Sequence, residues 1–142
     1  MLKILRVILI VLIFGTAGCS GKNSGDIKAV METVKNYCEG WHTGDGDRMA
    51  RSVHPNLAKR MVSSPEQNSV LNEMNRDQLV STTKTGIGKS GSKYFEIKIL
   101  DIEDNIASVK IKGRFIDYLH LAKFNNEWVI INVLWENYTN KL

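Results

Sequence analysis

Two apolar runs, Phe115 to Phe124 and Trp128 to Glu136, stand on either side of the polar break Asn125-Asn126-Glu127, and this arrangement constrains the fold more than any other stretch. Both runs are rich in β-branched, aromatic and aliphatic residues, and neither contains a proline or glycine that would interrupt a ladder. With a turn-prone break between them they read as one long β-hairpin. Alternation puts Phe115, Asp117, Leu119 and Leu121 on one face and Ile116, Tyr118, His120 and Ala122 on the other. In the second run Val129, Ile131, Val133 and Trp135 oppose Trp128, Ile130 and Leu134. A sheet with a solvated back alternates apolar and polar residues. This hairpin is apolar on both sides, so its second face is expected to be covered, most simply by a second copy in a symmetric homodimer.

Two further strands precede the hairpin, Tyr94 to Ile102 and Ile106 to Lys112, turned by Asp104-Asn105. The earlier chain has helical periodicity. Ile27, Val30, Met31, Val34, Tyr37, Cys38 and Trp41 recur at three- and four-residue intervals from Asp26 onward, the stripe of an amphipathic helix that Gly40 to Gly44 would end. Asp45-Gly46-Asp47 can cap a short helix over Arg48 to Val53, which His54-Pro55 must stop. Asn56 would cap one more turn through Leu57, Met61 and Val62, and Ser63 to Asn68 reads as loop. Asn75 and Gln78 have capping-box spacing for a third helix to Thr85, with Gly86 beyond it. The class is therefore α+β, N-terminal helices packed on a four-stranded antiparallel sheet. Gly88-Lys89-Ser90 is not a phosphate loop, because Thr83 stands where that motif needs a glycine and the order is helix to strand.

Lys3 and Arg6 precede an apolar run to Phe14, then Gly15, Thr16, Ala17, Gly18 and Cys19. Residues 1–18 read as a secretory signal of the bacterial lipoprotein kind, too short and too charged to span a bilayer, with acylation at Cys19. Residues 19–25 are then a flexible tether and 26–142 one domain, exported to the cell envelope and held to membrane lipid through Cys19. Removing Lys3 and Arg6 from the formal charge of +4 leaves +2, too little to suggest nucleic acid as a partner. The cluster Lys110, Lys112 and Arg114 reads as a solvated strand edge. Cys38 has no partner if Cys19 is lipidated, and on the apolar stripe it is expected to be a buried, inert thiol.

Y-C-E-G-W-H-T-G-D-G-D-R-M at Tyr37 to Met49, H-P-N-L-A-K-R at His54 to Arg60, D-Y-L-H-L-A-K at Asp117 to Lys123 and W-V-I-I-N-V-L-W-E at Trp128 to Glu136 together resemble the putative lumazine-binding family of the nuclear transport factor two-like superfamily. That resemblance implies a cone, in which a curved sheet wraps around helices and leaves a pocket at its open end. It implies little chemistry, since the superfamily holds isomerases, dehydratases, cyclases, transport factors and assembly modules.

If the face of Asp117 lines the cone, that carboxylate sits among aliphatics and is the candidate base of a lyase or isomerase. If the other face does, Tyr118 and His120 join Tyr37 and Trp41 as a ligand pocket, with Trp135 adding aromatic surface and His54 or His120 fixing orientation. His42 is expected to be exposed. Three histidines at no ligand spacing suggest no metal, and nothing suggests a cofactor. The leading expectation is a noncatalytic, membrane-tethered domain that binds a small apolar or aromatic ligand. An enzyme using Asp117 or a histidine, and a protein-binding adaptor in the envelope, are the alternatives.

Overall fold

A computed structural model describes residues 24–63 and 70–138; the signal, Cys19 and most of the Ser63 to Asn68 loop lie outside them. The chain runs α1 (Ser24–Thr43), α2 (Gly46–Ser52), β1 (Val53–Ser63), β2 (Val70–Met74), α3 (Arg76–Lys84), a 3-10 turn (Ile87–Ser90), β3 (Glu96–Glu103), β4 (Ile106–Lys112), β5 (Phe115–Phe124) and β6 (Glu127–Asn137). One sheet of order β2-β1-β6-β5-β4-β3 carries all the helices on its inner face. No helix among the described residues is long and apolar enough to cross a membrane.

The sheet has six strands rather than the expected four. The segment read as a helical turn through Leu57, Met61 and Val62 is β1, parallel to β6 and antiparallel to β2. His54-Pro55 ends α2 as expected but does not end regular structure. Val53 pairs with Ile130 and Ala58 with Asn132, so residues between them bulge out of register, and Pro55 sits where its missing N–H costs no ladder bond. The predicted edge cluster also needs correction: Lys110 and Lys112 lie on the outer face of β4, which is flanked by β3 and β5.

α1 stays helical because its stripe finds a surface. Val30, Val34, Tyr37 and Cys38 are buried against Val109, Leu119, Leu121, Ile130 and Val133 of the sheet. Each fully buried aliphatic of this kind is worth roughly 1.5–3 kcal/mol, so tertiary packing rather than propensity holds the helix. Asp26 ties its first turn to the sheet. Its Oδ1 accepts from Trp128 Nε1 at 2.9 Å and pairs with Lys123 Nζ at 2.8 Å. α2 is capped by Asp45, which accepts from the Arg48 amide at 2.8 Å, and α3 has the full Asn75–Gln78 capping box. The hairpin turn places Asn125 and Asn126 at φ 50° and 66°, left-handed conformations that asparagine tolerates.

The face question resolves through a bulge. His120 pairs with Asn132 and Leu121 with Ile130, so Ile131 is an extra residue in β6. Trp128 and Ile130 before it, and Val133 and Trp135 after it, therefore all point inward, which corrects the strict alternation read from the sequence. Phe115, Asp117, Leu119 and Leu121 form the inner face of β5, while Tyr118 and His120 face out.

Candidate functional site

α1 ends beside the β4–β5 connection, and there the core opens into a cavity of about 90 Å³. Its walls are Trp41, Phe95, Phe115, Trp135, Leu79, Ile111 and Met74, with Arg114, Tyr94 and His42 around the mouth. Phe115 and Trp135 meet edge to face at 5.1 Å.

Three polar groups meet at the floor. Lys59 Nζ donates to Tyr37 Oη at 2.6 Å and to Asp117 Oδ1 at 3.3 Å, and Tyr37 Oη donates to the same carboxylate oxygen at 3.3 Å. Trp135 and Tyr37 present ring faces to the ammonium, with centroids 4.7 and 5.4 Å from Nζ. Each member comes from a different element: Tyr37 from the buried stripe of α1, Lys59 from the inner face of β1, Asp117 from the inner face of β5. The ion pair is buried, its two side chains 9% and 10% exposed. Burial pulls Lys59 below its ordinary value, against Asp117, which holds the ammonium up. Burial, then the Asp117 charge, push Tyr37 well above the usual phenol range, so it remains a proton donor. The same two causes raise the thiol of Cys38, which keeps it protonated.

Of the residues predicted from sequence, Tyr37, Trp41, Trp135 and Asp117 come together here. Tyr118 and His120 do not. They border separate hollows on the outer face, where Tyr118 lies under Lys110 and His120 Nδ1 contacts Asn132 Nδ2 at 3.3 Å. His54 is also away from the cavity, its Nδ1 accepting from the Asn56 amide at 3.1 Å and its ring against Phe124. His42, expected to be exposed, is half-buried at the mouth, parallel to Phe95 at 5.8 Å, and its buried Nδ1 has no hydrogen-bond partner among the described residues. Lys59 was missed altogether. Its signal was present in Leu57, Lys59 and Met61, a period-two run that the helical assignment of Leu57 and Met61 concealed. Among the described residues no group of three His, Cys, Asp or Glu side chains is placed to hold a metal ion.

No functionally curated protein matches the chain. Among solved structures it is similar to a nuclear transport factor two-like protein of unknown function from Shewanella baltica, at TM-score 0.67 and 17% identity, over 83% of this chain and 98% of that one. A similar protein of unknown function from Silicibacter pomeroyi gives TM-score 0.62 and 17% identity over 81% and 98%. A domain of unknown function with a cystatin-like fold from Nostoc punctiforme gives 0.59 and 12% over 83% and 80%. These likenesses establish the fold. The sequence profile of one family matches residues 25–136, nearly all of the described chain, and on that match the protein belongs to the family described as putative lumazine-binding.

Proposed function

We propose that the protein is a noncatalytic, membrane-tethered domain that binds a small aromatic ligand in the cavity between Trp41 and Trp135. The observation that carries this reading is the floor of the cavity. Replacing a buried ion pair by apolar residues is usually neutral or stabilising, so a Lys59–Asp117 pair in an apolar cavity is poorly accounted for by stability. A polar contact for a ligand accounts for it. An ammonium has three N–H donors, Tyr37 and Asp117 take two, and the third is available to an acceptor atom on a bound molecule. Aromatic walls with a few polar groups are what small-ligand sites use. The family description points to a lumazine ring.

The catalytic alternative asks Asp117 to accept a proton from a substrate while it neutralises Lys59. Doing so would leave the ammonium uncompensated in an apolar site, at a cost of about 3–5 kcal/mol, which favours the noncatalytic reading. Attachment to the membrane through Cys19 rests on the pattern of residues 1–19. To test the ligand reading, the full chain in detergent is titrated with benzoate, benzyl alcohol, benzaldehyde and lumazine while tryptophan fluorescence is followed. Trp41 and Trp135 line the cavity, so saturable quenching by at least one compound is expected. Absence of saturable quenching by all four contradicts the proposal.

A further inference from the structure

Lys59 differs from a surface lysine in each respect that governs amine chemistry. Its side chain is nearly closed off from solvent, its Nζ lies in the floor of an apolar cavity, and a phenol and a carboxylate stand within 2.6 and 3.3 Å of it. Desolvated lysines are nucleophiles where surface ones are not, because burial favours the neutral amine. Cys38 also lines the cavity but is held as the unreactive thiol.

We propose that Lys59 captures a small aromatic aldehyde or ketone in this cavity as an imine, with Asp117 and Tyr37 moving the protons. This rests on the reading of the cavity as a ligand site and names the ligand's reactive group. Lys59 first passes a proton to Asp117 Oδ1, and both charges vanish together. Nζ then adds to the carbonyl carbon. A C–N bond forms, the C=O π pair goes to oxygen, and Tyr37 gives its proton to that oxygen while taking one back from the nitrogen. Asp117 returns its proton to the resulting hydroxyl, which leaves as water as the nitrogen lone pair closes the C=N bond. The sum is ammonium plus carbonyl giving protonated imine plus water, with Asp117 again a carboxylate beside a cation. No oxidant or reductant is required. The raised titration of Tyr37 suits its part, since it is protonated throughout the neutral range.

The experiment incubates the full chain in detergent with benzaldehyde and cyanoborohydride at neutral pH and locates benzyl groups by peptide mass spectrometry. Lys59 is expected to be labelled ahead of every other lysine, since the cavity holds the aldehyde against its amine and burial favours the neutral form. Tyr37→Phe, which leaves Lys59 and Asp117 in place, is expected to slow that labelling. Benzyl alcohol, which cannot form an imine, separates the two levels of the claim. If it quenches the cavity tryptophans while label spreads over other lysines and spares Lys59, the imine is overturned and the ligand site stands. If none of the four compounds quenches and Lys59 stays unlabelled, both are overturned.

Discussion

At the scale of single residues, Lys59 and Asp117 are worth little to the fold as a pair and much to each other. Asp117→Leu leaves a buried ammonium with only Tyr37 as acceptor and is expected to destabilise by about 3–5 kcal/mol, whereas Asp117→Leu with Lys59→Met is expected to be within about 1 kcal/mol of the parent or more stable. Urea denaturation of the two variants checks this, and a double variant as unstable as the single one would contradict it. Alternation in the last strands and the stripe of α1 made Asp117, Tyr37, Trp41 and Trp135 legible in the sequence. Lys59 was hidden because four-residue spacing of Leu57 and Met61 fits a helix as well as a strand. Tyr118 and His120 are pocket candidates on sequence alone because alternation names two faces without saying which is inside.

Among the elements, α1 links the two ends of the molecule. Its first turn is held by Asp26, which the hydrogen bond from Lys123, then that from Trp128, keep below the ordinary 3.8. A depressed carboxylate contributes stability above its unfolded value, and that contribution is lost as pH falls through the folded one. Asp26→Asn is therefore expected to lower stability above about pH 4 and to flatten the loss on acidification below it. Thermal melts across that range test it; parallel pH profiles for parent and variant would count against the clamp. At the other end of α1 the 3-10 turn packs Gly88 on Trp41. A Cβ there would overlap the Trp41 carbonyl oxygen and indole, so Gly88→Ala is expected to displace that wall and weaken aromatic binding about tenfold or more, with the Lys59 floor unchanged. Unaltered binding would mean that Trp41 is no part of the site. The helices with capping signals and the four C-terminal strands were legible. β1 was not, because a proline inside a strand reads as a stop unless the register break that accommodates it is known, and the bulge at Ile131 leaves no mark on an apolar run.

For the whole molecule, two lengths bear on how a tethered domain would stand. Ser24–Thr43 spans about 30 Å along the axis, from the Asp26–Trp128 clamp to the cavity mouth at Trp41 and His42. From Cys19 to Ser24 the chain reaches at most about 18 Å. If Cys19 is acylated, we propose that the Asp26–Trp128 end lies nearer the bilayer than the mouth and that the ligand enters from the aqueous side. In vesicles with brominated lipid, single-tryptophan variants are expected to show stronger quenching at Trp128 than at Trp41 or Trp135; stronger quenching at Trp41 would refute this arrangement. We also propose that a second copy covers the outer face, where Val62, Ile116, Tyr118 and Leu134 border one hollow even after the bulge has turned Trp128 and Ile130 inward. Sedimentation equilibrium of the full chain should give a dimer at about 10–50 μM, and a monomer there would count against it. The central claim is that the cavity above Lys59, Tyr37 and Asp117 holds a small molecule. Native mass spectrometry of the full chain purified from its own cells tests it most directly. The expected result is one small-molecule adduct per chain, absent from the folded Lys59→Met, Asp117→Leu double variant; an adduct-free parent, or the same adduct on both proteins, would contradict it.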